Sequence, residues 1–567
     1  MNNVLIGQSD FKQIRESNAY YVDKSLFVED IMKCPYLVIL LTRPRRFGKT
    51  INLSLLHHFF EKTDQDKSSL FDGLAIQQSD IYSEHFSKYP VIFLTFKDIK
   101  QSNWNDCLED MKLVISQLFE SFDYLLDSDC LTELQANDFK NIKNRTASNV
   151  IYGNALKFLS KFLYQYHQQR VVILVDEYDT PIHSGYQYHY YDEIVSFIRN
   201  LLSGGLKDNN YLHKGVITGA LRVAKESIFT GLNNLGVFTL FEHEFNQCFG
   251  FTLDEIRMIL TDFGLLSNFD NVLKWYDGYN FGDQKILNPW SVMNYVSNKK
   301  KTFKPYWLNT SSMEMLEQIT LGKPEAKKKS LRQELTELIQ GGYIQKNINE
   351  NIIMQDIYNR NLDVIWSFLL HSGYLKSIAY IDSEFENIHK LSIPNMEVKI
   401  AYRNLVTKWF AETVNTDDLN LMLQALTNGD IALFEKKLKI ICLEIMSYHD
   451  FAGSPEKVYH ALVLGMLVWL SNDYVIRSNR ESGYGRYDII FMPKDKTKQG
   501  IIIEFKTIEE NDVVEDVIND ALKQIETKCY DVELKAAHIH NILKLAIGFS
   551  DKSVYLKQGT FENTPGA

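Results

Sequence analysis

The chain has 567 residues, more than one hydrophobic core usually holds, and its length alone predicts three or four domains. Its composition, 45% apolar and 23% charged, is that of a folded globular protein, and a net charge of -11 excludes a basic coat over the whole surface, so any nucleic-acid contact has to be local. There is no run of about 18 apolar residues, no basic-then-apolar leader, and no CxxC spacing among the six cysteines; the expectation is a cytoplasmic protein with reduced thiols, no membrane span and no structural zinc.

In chain order, the first third alternates short apolar strands with amphipathic helices. Strands are predicted at Tyr36–Leu41, Val91–Phe96, Val171–Val175 and Lys214–Thr218, with helices between them such as Asn52–Glu61 and Ala155–Tyr166. Apolar strands without alternation, separated by helices, predict a parallel sheet buried on both faces.

The first strand runs into Thr42-Arg43-Pro44-Arg45-Arg46-Phe47-Gly48-Lys49-Thr50 and then a helix. That is the context of a phosphate-binding loop. Backbone N–H groups along Arg45, Arg46, Phe47 and Gly48, with the helix N-terminus, are expected to cradle phosphates; Lys49 would reach the β/γ-phosphates and Thr50 would bind magnesium. Arg43 stands where such loops usually have their first glycine. The strand Val171–Val175 ends in Asp176-Glu177, which suits a Walker B: Asp176 for the metal, Glu177 to orient and deprotonate the attacking water. Thr218, ending the next strand, is placed to sense the γ-phosphate, and Arg222 to contact it or the Walker B acids. Asp179 reads equally well as a turn residue.

These residues resemble a known family. Tyr21-Val22-Asp23-Lys24, RPRRFGKT from Arg43, VDEYDTPI from Val175, Ile217-Thr218-Gly219 and Leu232-Asn233-Asn234-Leu235 look like the AAA-ATPase-like proteins of bacteria. The resemblance implies ATP or GTP hydrolysis in an AAA-type core over roughly residues 5–240, Arg43 as a normal loop residue, self-association into a homo-oligomer, and Tyr21 to Lys24 near the nucleotide base.

From about residue 250 helices dominate, with aromatic loops at Trp275–Tyr279 and Asn288–Trp290, the first aromatic enough to stack bases but reading rather as core or turn packing, and lysine-rich segments at 299–304 and 327–332 that could touch phosphates but read rather as solvated loop. The histidines 57, 58, 183, 538 and 540 lack acidic or thiol partners at zinc spacing and read as structural. A helical stretch over about 395–470 precedes two apolar strands, Tyr487–Phe491 and Gly500–Lys506, joined by a polar turn.

A single Glu among Ile and Phe, with a Lys two residues on, is costly in a strand core unless it has partners. The two-residue period puts Glu504 and Lys506 on one face, and Asp488 converges from the neighbouring strand. Two carboxylates offer hard oxygen ligands for Mg2+ or Mn2+, and the lysine can orient a water or stabilise charge on phosphorus. Glu456, one helical turn before His460, is a further candidate metal ligand. Tyr459-His460-Ala461, Ser478 to Asp488, and Ile503-Glu504-Phe505-Lys506 resemble the PD-(D/E)xK nuclease superfamily over roughly 400–556. That resemblance implies a site-lining Gln524, with Tyr530 on the same stretch.

The sequence therefore predicts an α/β protein of three parts: a P-loop AAA-like parallel-sheet domain over 1–245, a mainly helical middle or lid region over 246–395, and a restriction-endonuclease-like PD-(D/E)xK domain over 396–567. The expected activity is ATP-dependent or ATP-gated phosphodiester hydrolysis, of DNA, with defence against foreign DNA as a setting by analogy. A nucleotide-switched regulatory ATPase with a silent nuclease fold is the alternative, and RNA an alternative substrate.

Overall fold

The computed structural model describes residues 3–222, 228–229, 233–308, 334–335, 337–339, 341–350, 362–383, 386–413, 415–448, 470, 473–482, 485–509, 511–550 and 553–559. Its chain divides into two compact units, one of residues 1–310 with 345–398, the other of 311–344 with 399–567. The segments 246–310 and 345–398 thus cluster with the N-terminal sheet. Among the described residues no helix is long and apolar enough to cross a membrane.

The first unit is built on five parallel strands, β1 (Val38–Thr42), β2 (Val91–Thr95), β3 (Val171–Asp176), β4 (Leu212–Gly219) and β5 (Leu235–Phe238), in the order β2-β3-β4-β1-β5. Alternate residues feed opposite cores. Val38 and Leu40 pack with Ile92, Ile173 and Val175 on one face, while Ile39 and Leu41 pack with Val172, Leu174 and Val216 on the other. The sheet is covered on both sides, which is why its strands are apolar at most positions. Strand β4 lies between β1 and β3, so the chain leaving β4 emerges between the loop after β1 and the acids after β3. β5 was not expected from the sequence: it is four residues long, contains Gly236 and forms the sheet's edge.

Beyond β5 the same unit adds β6 (Phe251–Thr252), β7 (Tyr279–Phe281) and β8 (Gln284–Leu287) in a three-stranded antiparallel sheet, and the helix Pro289–Ser297. A further small sheet holds β9 (Ile344–Asn347), β10 (Lys376–Ser383) and β11 (Glu386–Ser392), the last two an antiparallel hairpin. Tyr276 and Tyr279 are buried and Trp275 stacks on Phe303 at 5.8 Å, so this aromatic segment is core packing. Gly250 has φ +80°, and a Cβ there would lie 2.2 Å from Ile286 Cγ2. Gly250→Ala is expected to cost about 3 kcal/mol or more, through both the left-handed backbone and the overlap, read as a lowered urea midpoint.

The second unit carries β12 (Tyr474–Ser482), β13 (Gly485–Pro493), β14 (Gly500–Thr507), β15 (Ile542–Ser550) and β16 (Ser553–Gln558), hydrogen-bonded in sequence order. All neighbours are antiparallel except β14 and β15, whose parallel pairing requires a crossover; the helix Val514–Thr527 lies on that connection. Its Ile525 packs with Ile490, Ile502 and Tyr530, which fixes the helix against the strands that bear the acidic residues.

Candidate active sites

Gly48 adopts φ +88° and begins the helix Lys49–Phe60, a turn that only glycine makes without strain. The helix start places Thr50 beside the end of β3. Thr50 Oγ1 donates to Asp176 Oδ2 at 2.8 Å, and Thr218 Oγ1 donates to Asp176 Oδ1 at 2.7 Å. Asp176 is fully buried, and burial raises its pKa while the two threonine hydroxyls counter that. The side chains expected to hold magnesium, Thr50 and Asp176, are thus neighbours with a hard-oxygen donor set. Thr218 is engaged with Asp176 itself.

Lys49 is buried, its Nζ donating to Arg43 O at 3.0 Å and Pro44 O at 2.9 Å. Burial lowers its pKa, while the carboxylates of Glu177, Asp179 and Asp176 favour its charged form. Glu177 has φ +50° and accepts from Thr180 Oγ1 at 3.2 Å. A non-glycine residue in that backbone region costs roughly 1 kcal/mol and persists where its surroundings hold it. Asp179 is more than a turn residue. Its Oδ2 accepts from the N–H groups of Ala220 at 2.9 Å and Leu221 at 3.0 Å and lies 3.4 Å from His183 Nε2, so it fastens the chain leaving β4 to the acidic end of β3.

The residues from Arg43 to Phe47 differ in where they go. Arg43 is fully buried; its Nη1 donates to the carbonyls of Thr42, Phe238 and Thr239 at 2.8, 3.0 and 2.5 Å, and its guanidinium lies 5.1 Å from the Phe281 ring centre. Burial pulls its pKa down to about 10. Phe47 is also buried, against Tyr279 at 4.8 Å and Phe281 at 5.3 Å, so only its backbone is available to a phosphate. Arg45 has its carbonyl on Trp307 Nε1 at 3.2 Å, and Arg46 is exposed with φ +70°. Arg222 lies where its charge acts on Glu350 and His371. The segment Tyr21 to Lys24 is a brace: Lys24 Nζ meets both Glu255 oxygens at 2.6 and 2.7 Å, Asp23 Oδ2 accepts from Ala75 N at 2.7 Å, and Tyr21 is packed on Phe11.

In the second unit the ladder between β13 and β14 runs from Phe491↔Ile501 to Ile489↔Ile503. At the next position a side chain takes over: Asp488 Oδ2 accepts from Phe505 N at 2.8 Å. That substitution holds the Asp488 carboxylate at the Glu504–Lys506 end of β14. Glu504 is 2% exposed. Its Oε1 accepts from Gln524 Nε2 at 2.6 Å and Lys506 Nζ at 3.3 Å. Lys506 Nζ also donates to Gln524 Oε1 at 2.8 Å, and Gln524 Nε2 to the Tyr530 hydroxyl at 2.8 Å.

Glu504, Lys506, Gln524 and Tyr530 therefore share one hydrogen-bond network, and the Asp488 carboxylate lies close enough for its charge to act on Glu504. Glu504 Oε2 is buried with no hydrogen-bond partner. Burial, reinforced by the Asp488 charge, pushes the Glu504 pKa up to about 7. An orphaned buried carboxylate oxygen beside a second carboxylate fits a divalent cation, which supplies the missing partner. Among the described residues no group of three or more His, Cys, Asp and Glu side chains is gathered at metal-binding distance. Glu456 lies outside the described residues.

A parallel sheet with a Gly48-Lys49-Thr50 helix start beside a buried aspartate, and a separate mixed sheet with an Asp/Glu/Lys/Gln cluster, define a nucleotide-hydrolase-type domain joined to a nuclease-type domain. Family comparison agrees: residues 5–229 match a predicted AAA-ATPase family, and residues 454–559 match the PD-(D/E)XK nuclease superfamily. The chain carries an AAA-ATPase-like domain followed by a C-terminal PD-(D/E)XK nuclease-superfamily domain, both of hydrolase classes that use nucleotide or divalent metal. A protein of Azotobacter chroococcum mcd 1, described as an uncharacterized protein in vnfD 5'region, is 27% identical over 314 residues. The match covers 54% of this chain and 54% of that protein, so the chain spans about half the length of the curated relative it matches.

Proposed function

We propose that the protein is an ATP-dependent or ATP-gated nuclease, hydrolysing phosphodiester bonds of DNA with Mg2+ or Mn2+, and that its AAA-like core self-associates. The observation that carries this reading is the partnerless Glu504 Oε2, beside Asp488, in a carboxylate whose other oxygen is bonded to Lys506 and Gln524. A silent binding platform gains nothing from a buried, unsatisfied carboxylate oxygen, which costs on the order of 1–3 kcal/mol, whereas a metal-dependent nuclease needs it.

A divalent ion held by Asp488 and Glu504 supplies Lewis acidity at the scissile phosphate and a more acidic water. Lys506 orients the attacking water or meets the charge growing on phosphorus. Gln524 holds the Glu504 carboxylate and the Lys506 ammonium at fixed positions. At the other site Thr50 and Asp176 are the metal-holding residues, Lys49 serves the phosphates, and Glu177 takes the proton of the attacking water. A role in defence against foreign DNA belongs to this proposal by analogy only.

The test uses the full chain with linear and circular DNA and with RNA, with Mg2+ or Mn2+, with and without ATP. Cleavage of DNA by the wild type and its loss in Asp488→Ala are expected. No cleavage of any substrate sinks the nuclease reading and favours the nucleotide-switched regulator. Cleavage of RNA alone reassigns the substrate.

A further inference from the structure

The phosphate loop is held from outside, residue by residue, by elements that follow β5 or end it. Arg43 is wrapped by the carbonyls of Phe238 and Thr239 and by the rings of Phe249 and Phe281. Pro44 faces Gly373, where a Cβ would come within 3.1 Å of its ring. Arg45 is bonded to Trp307, and the Phe47 carbonyl accepts from Gly250 N at 3.0 Å. These contacts explain how a loop with arginine in place of the usual glycine keeps its shape: packing replaces backbone freedom.

Arg46 is the exception. From Leu41 to Thr50 it is the one exposed residue, turned out of the loop by its φ of +70°. Its guanidinium carbon lies 4.1 Å from the centre of the Trp290 ring, a close cation–π contact. Trp290 is itself fixed. It is the second residue of the helix Pro289–Ser297, whose N-cap Asn288 is fully buried and accepts from Ser291 N, and its Nε1 donates to Tyr306 O at 3.1 Å. Across the loop, the charge of Glu177 acts on Arg46. One exposed cation therefore rests on a fixed aromatic face, near enough for the charge of the proposed catalytic carboxylate to act on it.

We propose that Arg46 is the charge-stabilising arginine of ATP hydrolysis, supplied in cis by the phosphate loop itself, and that Trp290 is the positioning residue that aims it. The proposal rests on the nucleotide-hydrolase reading above. Water adds to the terminal phosphorus, its proton passes to Glu177, and the bond to the bridging oxygen breaks with its electron pair, leaving ADP and phosphate. Negative charge grows on the phosphoryl and bridging oxygens as this happens. A guanidinium beside Glu177 meets that charge, and its planar fork suits phosphate oxygens better than a lysine does. The Trp290 ring restricts the long arginine side chain, so less freedom is lost on reaching the transition state. Through the same ring, the position of Arg46 is communicated to the helix Pro289–Ser297.

The experiment measures MgATP affinity and steady-state hydrolysis separately for wild type, Arg46→Ala, Trp290→Leu, Trp290→Phe and the double variant Arg46→Ala/Trp290→Leu, with Lys49→Ala as the control for nucleotide binding. Arg46→Ala is expected to lower kcat about 100-fold with the ATP Kd within about threefold. Trp290→Leu should lower kcat about tenfold, Trp290→Phe should recover most of that, and the double variant should be no slower than Arg46→Ala. Equal losses in Trp290→Phe and Trp290→Leu, or wild-type turnover in either Trp290→Leu or Arg46→Ala, overturn the proposal. If Trp290→Leu melts early, Arg46→Ala and Trp290→Phe decide alone, since Arg46 is exposed. A wild type that binds no ATP overturns the nucleotide site and the proposal together; one that binds and turns over ATP while Arg46→Ala does the same overturns the proposal only.

Discussion

Glu504→Gln is expected to abolish phosphodiester cleavage, by about 1,000-fold or more, and at the same time to stabilise the metal-free protein above pH 7. Both effects have one cause. The Glu504 carboxylate is almost completely buried, one of its oxygens has no partner, and its pKa is pushed up to about 7 from an ordinary 4.5. Below pH 4.5 the carboxyl is protonated in folded and unfolded chains alike and has no effect on the balance. Between 4.5 and 7 the folded form holds a proton that the unfolded form has lost, so stability falls as pH rises. Above 7 the charged form is buried, and the accumulated cost is on the order of 3 kcal/mol. Glutamine keeps the Gln524 bond through its carbonyl and carries no charge. Melting temperatures in EDTA at pH 5 and pH 8 check this: a rise for Glu504→Gln at pH 8 and little change at pH 5 are expected. Cleavage within tenfold of wild type, or a lower melting temperature at pH 8, would count against the metal-ligand role. The same linkage predicts that Mn2+ binding releases a proton below pH 7, so affinity climbs with pH up to that point.

Lys49→Ala is expected to remove ATP hydrolysis, at least 100-fold, with ATP affinity falling too. Lys49 is buried with its ammonium on the carbonyls of Arg43 and Pro44, so its loss deprives the loop of a cation and leaves two carbonyls unmatched. Its neighbours Glu177, Asp179 and Asp176 keep their charges, which then repel a nucleotide. Equilibrium binding of a fluorescent ATP analogue, with phosphate release measured in parallel, reads both losses. Nuclease assays on the same variant separate the two couplings: cleavage that disappears with Lys49→Ala is ATP-dependent, and cleavage that persists detaches the two domains' activities. ATP turnover at the wild-type rate in this variant would reject the N-terminal site.

Much of the arrangement was written locally. The strands β1 and β3 are continuous apolar runs, and candidate site residues lie at or just past the C-terminal ends of β1, β3 and β4, so strand and candidate site were legible together. The Glu504–Lys506 pair was legible because a charge in an apolar strand demands an explanation. Gln524 was reached through family resemblance; nothing in its own helix distinguishes it from the other polar positions there. The position of Tyr21 to Lys24 was not legible, because its partner Glu255 is 231 residues away in sequence. Nor was the docking of the phosphate loop. Arg43 looked like a missing glycine; only the fold reveals a guanidinium buried among carbonyls and rings drawn from residues 238 to 281. Trp290 read only as part of an aromatic loop, because nothing near it in sequence points to Arg46.

The way the loop is assembled has a consequence for the order of biosynthesis. Pro44 leaves the ribosome long before its neighbour Gly373, which follows roughly 330 residues later. At ~5–20 residues per second that interval is about 15–65 s. For the part of it before residues 238–281 have followed, the strand–loop–helix unit exists without the surfaces that bury Arg43 and Phe47. The nascent chain therefore carries a buried-type arginine and a core phenylalanine in water until then, and the phosphate loop gains its Gly373 contact only once residue 373 has been made.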